Sequence, residues 1–243
     1  MANGFTMVSM YTVQFAQVRP EMAGLWNGPA WSGAGTLRLT HFRKEGSSHH
    51  PGTGVKLLYD AGGIYGLFRV EDRYVRCLRT GYMDPVYKDS CVEFFVRPRP
   101  DSGYFNFEFN CGGALLCSYI VNPERVPGGF RDFTPLPPED GERVIVYHSL
   151  PKVVDPEERE PILWFLEFFI PFALLEKYTG PLGDPGGRLW RANFYKCGDE
   201  TSHPHWASWK PVHSLNFHLP DCFGEIRFGE RQDRTARRQG LYL

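Results

Sequence analysis

Residues 104–110 read Tyr104-Phe105-Asn106-Phe107-Glu108-Phe109-Asn110. Successive side chains of a strand point to opposite faces, so Phe105, Phe107 and Phe109 share one side and Asn106, Glu108 and Asn110 the other. Burying three phenylalanines contributes about 1.5–3 kcal/mol each before entropy is subtracted, enough to hold the register with the rings inward. The opposite row is unlike an ordinary solvent face, where Thr, Lys or Arg are commoner. It is a line of hydrogen-bonding groups on a rigid platform.

The same division recurs on both sides of this stretch. Over 91–97, Val92, Phe94 and Val96 alternate with Cys91 and Glu93, and Asp89 precedes them. Over 162–170, Ile162, Trp164, Leu166, Phe168 and Ile170 alternate with a row whose carboxylate is Glu167; over 189–197, Trp190, Ala192 and Phe194 oppose Arg191, Asn193 and Tyr195. Further strands are predicted at 36–42, 54–59, 63–70, 73–79, 113–121, 143–150 and 224–229, with turn residues spaced roughly every 8–12 positions. This pattern predicts an all-β protein, an antiparallel β-sandwich of jelly-roll-like type. One short helix is expected at 171–178, with Pro171 in its first turn. Loops rich in Pro, Gly or charge are expected at 46–54, 122–141, 151–161 and 180–187. The predicted organisation is an N-terminal extension (1–30) packed on the domain, the sandwich itself (31–229), and a basic, frayed tail (230–243).

Composition narrows the function classes. The chain has 243 residues, with 27 Lys and Arg against 28 Asp and Glu and 42% hydrophobic residues. That apolar content excludes a disordered chain, and the balanced charge argues against nucleic-acid and anionic-membrane partners. The densest apolar run, 162–175, is broken by Glu167 and Pro171, too short to cross a membrane. Residues 1–20 lack the basic start and unbroken apolar run of a signal peptide, so a cytoplasmic location is the default expectation. Six cysteines without a CxxC spacing predict reduced, mostly buried thiols rather than a zinc ribbon or redox motif.

If these strands share a sheet, one face collects Glu93, Asn106, Glu108, Asn110, Glu167, Arg191, Asn193 and Tyr195. That is either a solvated face with internal ion pairs or a polar concavity for a polyhydroxylated ligand. Rings make up 15% of the chain, and Tyr82, Tyr87, Trp206, Trp209 and Phe217 fall in loops that could border such a face. Each such ring taken alone is more often an anchor packed on the core, and Trp26 and Trp31 read as a structural plug. The run from Asn193 to Pro211 concentrates Asp199, Glu200, His203 and His205. His203 and His205 with Cys197 or Asp199 could ligate zinc, and Asp199 and Glu200 could ligate calcium; a loop ordered by internal hydrogen bonds is the default reading.

Taken together, Tyr87-Lys-Asp-Ser-Cys-Val-Glu93-Phe-Phe, the 104–110 strand, Trp164 to Pro171, Asn193 to Pro211 and Phe223-Gly-Glu-Ile-Arg-Phe228 resemble the family 9 carbohydrate-binding modules, and more closely their stand-alone bacterial relatives. The likeness covers roughly residues 31–228. It implies a β-sandwich that binds sugars without catalysis, structural calcium in some members, and an association with xylanases and xylan catabolism. The family's sugar-binding acid falls on Glu93. Its two stacking tryptophans fall on Tyr87 and Phe217, both still rings, and polar residues of the neighbouring strand fall near Glu108 and Asn110.

The expected ligand is therefore a mono- or oligosaccharide, held by Tyr87, Glu93, Glu108, Asn110, Asn193 and Phe217, with Tyr82, Trp206, Trp209 and Lys196 as accessory residues. Beyond the calcium that the resemblance implies, no cofactor is expected. Two other functions stay open: a glycoside hydrolase using Glu93, Glu108 and Glu167, and an interaction domain whose polar face is closed by a protein partner.

Overall fold

Residues 104–110 form a central strand in the computed structural model, which describes residues 10–231. In chain order the strands are β1 (Tyr11–Phe15), β2 (Leu37–Leu39), β3 (His41–Phe42), β4 (Gly52–Tyr59), β5 (Gly63–Asp72), β6 (Val75–Cys77), β7 (Cys91–Arg97) and β8 (Tyr104–Asn110). There follow β9 (Leu115–Val126), β10 (Gly129–Pro135), β11 (Ile145–His148), β12 (Val154–Glu158), β13 (Ile162–Pro171), β14 (Leu189–Cys197), β15 (Trp206–Ser208) and β16 (Gly224–Phe228). Two short α-helices interrupt them, α1 (Pro138–Gly141) and α2 (Phe172–Thr179), with single 3-10 turns at Val86–Lys88 and Pro220–Cys222.

The strands run in the order β10-β9-β8-β7-β14-β16-β1-β4-β5-β13-β11. This path folds into two layers because β1 belongs to both. Tyr11, Thr12 and Val13 pair with β16, and Gln14 and Phe15 with β4. The inward rings of one layer meet those of the other: Phe94 and Phe109 lie 5.5 and 5.3 Å from Phe168, and Phe194 lies 6.2 Å from Phe68. These residues are fully buried, so the alternation at 91–97, 104–110 and 189–197 is the imprint of this core.

Four features depart from expectation. The sheet is mixed rather than antiparallel, because both pairings of β1 are parallel. Its neighbours β16 and β4 are not joined to it by a tight hairpin, so no connection imposes an antiparallel course. Within the predicted extension 1–30, β1 is a sheet member; residues 1–9, and those of 230–243 after Arg231, lie outside the described residues. Strands β10 and β12 fall in stretches expected as loops, because neither buries a face that would impose apolar alternation. Finally, α1 adds a second helix, and Pro171 caps α2 in extended conformation instead of standing in its first turn.

Trp31 is buried as a plug against the outer face of the second layer. There Glu167 accepts the amides of Ala23 and Gly24 at 3.0 and 2.8 Å and the Trp31 indole at 3.3 Å. Glu167 thus lies in a different layer from Glu93 and Glu108. It cannot share their polar face, which removes it from the hydrolase reading. All six cysteines are free thiols, five of them buried and Cys222 half-buried. Among the described residues, no helix is long and apolar enough to cross a membrane.

Candidate functional site

The outward row of β7, β8 and β14 forms the floor of a cleft of about 680 Å³. Register fixes the floor: Glu93 stands opposite Glu108 on one side and Tyr195 on the other, and Asn106 stands opposite Phe95. Tyr87, Asp199 and Trp206 form one wall and Leu215 to His218 another. The third is the β9–β10 hairpin with Arg125, Phe130 and Phe133.

The floor is buried and tightly oriented. Glu93 is 2% exposed, and its Oε1 accepts the Cys197 thiol at 3.2 Å while its Oε2 has no partner. Burial, reinforced by the neighbouring Cys197 and Glu108, raises its pKa well above the carboxylate range. Glu108 is also buried; it accepts the Asn106 amide at 2.8 Å, and burial pushes its pKa up to about 7. Asn106 in turn accepts the Ser118 backbone amide at 2.8 Å, which fixes which end of its carboxamide faces Glu108. Burial thus works against charge on both carboxyls.

Rings border it. Phe217 stacks on Tyr195 at 4.0 Å with 12° between the planes, and the Tyr195 hydroxyl donates to the Phe217 carbonyl at 3.0 Å. Tyr87 stands 36% exposed. The Trp206 indole donates to Asp199 at 2.7 Å, and burial raises the Asp199 pKa. On the hairpin, the Arg125 guanidinium lies 4.0 Å over the Phe130 ring, which leans on His218 at 4.4 Å. His218 meets the Tyr104 hydroxyl at 3.0 Å, and burial holds its pKa down to about 3.

Of the expected ligand residues, Tyr87, Glu93, Glu108, Phe217 and the accessory Trp206 converge on this cleft. The others do not. Asn110 spends its amide on the Arg79 carbonyl and Asp89, and its carbonyl oxygen on the Ala114 amide. Asn193 is closed off by the Lys210 backbone, which it meets through both ends of its side chain. Lys196 is fully buried on the inner face, 3.3 Å from Asp72 and 2.7 Å from His205. Trp209 packs in the core against Phe194 at 5.8 Å, and the Tyr82 hydroxyl donates to the Leu136 carbonyl at 2.7 Å.

The expected metal ligands also separate. His205 is turned inward to Lys196, and His203 stacks on Tyr74 at 3.6 Å. Glu200 pairs with Arg79 and Lys88 at 2.6 and 2.9 Å, and Asp199 lines the cleft. Internal bonding thus orders this loop, and these four residues do not form a metal centre. Cys91, Glu93 and Cys197 do converge, with ligand atoms within 4.8 Å of one another. Lining residues that sequence reasoning did not name as ligand contacts include Asn106, Arg125, Phe130, Cys197 and His218. Asn106 was signalled by its place in the polar row, whereas Arg125 and Phe130 lie in a hairpin without alternation.

Comparison with known proteins follows this geometry. The profile of Carbohydrate-binding family 9 matches residues 36–228. The chain is similar to a candidate carbohydrate-binding protein from Bacteroides uniformis, with 27% identity and a TM-score of 0.75, over 90% of this chain and 100% of that one. It is also similar in fold to a family 9 carbohydrate-binding module from Caldicellulosiruptor kristjanssonii. The structure with cellotriose has a TM-score of 0.62 and 14% identity, over 93% of this chain and 96% of that one. The structure with glucose has a TM-score of 0.59 and 15% identity, over 92% and 98%. Among curated proteins, none matches the chain.

Proposed function

The chain belongs to carbohydrate-binding family 9, and from that premise we propose that it binds an uncharged mono- or oligosaccharide in the cleft between Tyr87 and Phe217, without catalysis. The observation that carries this reading is the bare, buried Oε2 of Glu93 on the floor of a ring-bordered cleft. A buried polar atom with no partner is costly, and a sugar hydroxyl donated to it would remove that cost.

Each part of the cleft has a role in this reading. Asn106 and Glu108 hold one another in place and offer further acceptors and donors to vicinal hydroxyls. Tyr87 and Phe217 present ring faces to the C–H surfaces of the sugar, with Phe217 stiffened by its stack on Tyr195. Trp206, fixed by Asp199, extends the apolar wall. The solved family 9 module holds cellotriose and glucose, so gluco-configured ligands are the first to test, with xylo-oligosaccharides beside them to examine a place in xylan catabolism.

Titration calorimetry on the whole chain tests the proposal. Binding of at least one of these sugars is expected, weakened in Glu93→Gln, Tyr87→Ala and Phe217→Ala. Heat that persists unchanged in all three variants, or no heat with any glycan, would overturn it.

A further inference from the structure

We propose that Cys91, Glu93 and Cys197 form a zinc site in the cleft floor. Cys91 and Glu93 are two apart on β7 and so share its outward face, and Cys197 of β14 is the direct cross-strand partner of Cys91. The register therefore brings two sulfurs and a carboxylate to one point from two adjacent rigid strands. Their ligand atoms lie within 4.8 Å of one another, and Cys197 Sγ is 3.2 Å from Glu93 Oε1. Tetrahedral zinc bound at its usual bond lengths separates two thiolate sulfurs by about 3.8 Å, and a sulfur from a carboxylate oxygen by about 3.5 Å. The three groups need little movement to meet those separations.

Two further observations distinguish this cluster from a chance gathering. Glu93 Oε2 is buried and unpartnered, so the carboxylate keeps a free ligand atom. The surroundings are apolar: Val86, Ala114, Leu116, Trp206 and Phe217 pack around the two thiols. Such a shell excludes solvent and strengthens ligation by charged groups. Zinc there would displace both thiol protons, and any proton on the Glu93 carboxyl, to solvent, leaving two thiolates and a carboxylate around the dication with one negative charge in excess. Glu93 and Cys197 line the cleft, so a fourth coordination position would open on the cleft side, where a hydroxyl or water could occupy it. The site does not depend on the sugar reading, and its test uses metal alone.

The full chain, reduced and stripped of metal, is titrated with Co²⁺ and then Zn²⁺. One equivalent of Co²⁺ is expected to give the visible bands of tetrahedral cobalt together with a near-ultraviolet thiolate charge-transfer band, and one equivalent of Zn²⁺ to erase both. Cys91→Ser or Cys197→Ser should remove the charge-transfer intensity, and Glu93→Gln should weaken binding by at least about tenfold. Cys222→Ser is the control, because His213, Asp221 and Cys222 form a second, more exposed cluster. Absence of a thiolate band, or its loss in Cys222→Ser with retention in Cys197→Ser, would overturn the proposal. Should a serine variant not fold, X-ray absorption of the native chain with one equivalent of Zn²⁺ decides: two sulfur ligands at about 2.3 Å are expected, and a shell of nitrogen and oxygen alone would refute the site.

Discussion

Lys196 and Asp72 form an ion pair at 3.3 Å in which both side chains are wholly buried between the two layers. Asp72 also accepts the Trp164 indole at 3.2 Å and faces His49 at 2.8 Å, and Lys196 donates to the Cys197 carbonyl at 3.1 Å. Removing one partner leaves an uncompensated buried charge. Lys196→Met should therefore destabilise the fold by about 3–5 kcal/mol, whereas Lys196→Met with Asp72→Asn should lose less than the two single losses combined. Chemical denaturation of the four proteins measures the coupling; additive losses would show that the pair is not coupled.

His205 and His218 give the fold an acid limit. Burial is the largest cause holding the pKa of each down to about 3, against 6.5 for an ordinary histidine. Between those values the unfolded chain binds more protons than the folded one. Stability is then fully present above about pH 6.5 and declines as pH falls towards 3, by up to roughly 1.4 kcal/mol per pH unit for each histidine. Asp72, whose pKa is held below its ordinary value by Lys196 and His49 despite burial, adds to the loss below about pH 4. Urea midpoints from pH 7 to 4 should fall steeply, and His205→Gln should flatten the slope by one proton.

Glu108 acts in the opposite direction. Burial raises its pKa from 4.5 to about 7, so the folded chain holds a proton that the unfolded chain releases, and stability falls as pH rises across that interval. Glu108→Gln removes this penalty while keeping an oxygen to accept the Asn106 amide. At pH 8 the variant should be more stable than the native protein by a margin that shrinks towards zero near pH 4. A constant difference across the range would contradict the burial argument.

Stacking at the cleft rim has a measurable size. Tyr87→Ala and Phe217→Ala should each weaken glycan binding roughly two- to twelvefold, corresponding to about 0.5–1.5 kcal/mol. Tyr82→Phe should leave affinity unchanged, because the hydroxyl it removes is committed to the Leu136 carbonyl. Calorimetry beside thermal denaturation separates a lost platform from a loosened fold.

These results show what alternation can and cannot reveal. Strands β7, β8, β13 and β14 were legible because each buries one face, which writes a period of two into the chain. The edge hairpin strand β10 and the short β12 bury no such face and leave no imprint. Glu93, Tyr87 and Phe217 were recoverable through family resemblance. Lys196 was misjudged even though the parity placing Phe194 inward places Lys196 inward as well. Asn193 points outward as expected, but the segment after β15 covers it, a long-range contact that no local pattern encodes. The dispersal of Asp199, Glu200, His203 and His205 has the same origin, since four residues close in sequence are drawn to four different partners by tertiary packing.

The double membership of β1 has a practical consequence. A chain trimmed to the family-matched span, 36–228, would lose Tyr11–Phe15 and leave the flanks of β16 and β4 without a partner. Unpaired flanks of this kind invite strand exchange between molecules. Such a trimmed chain should self-associate more than the whole chain, and a free peptide covering residues 10–17 should reverse the difference by filling the gap.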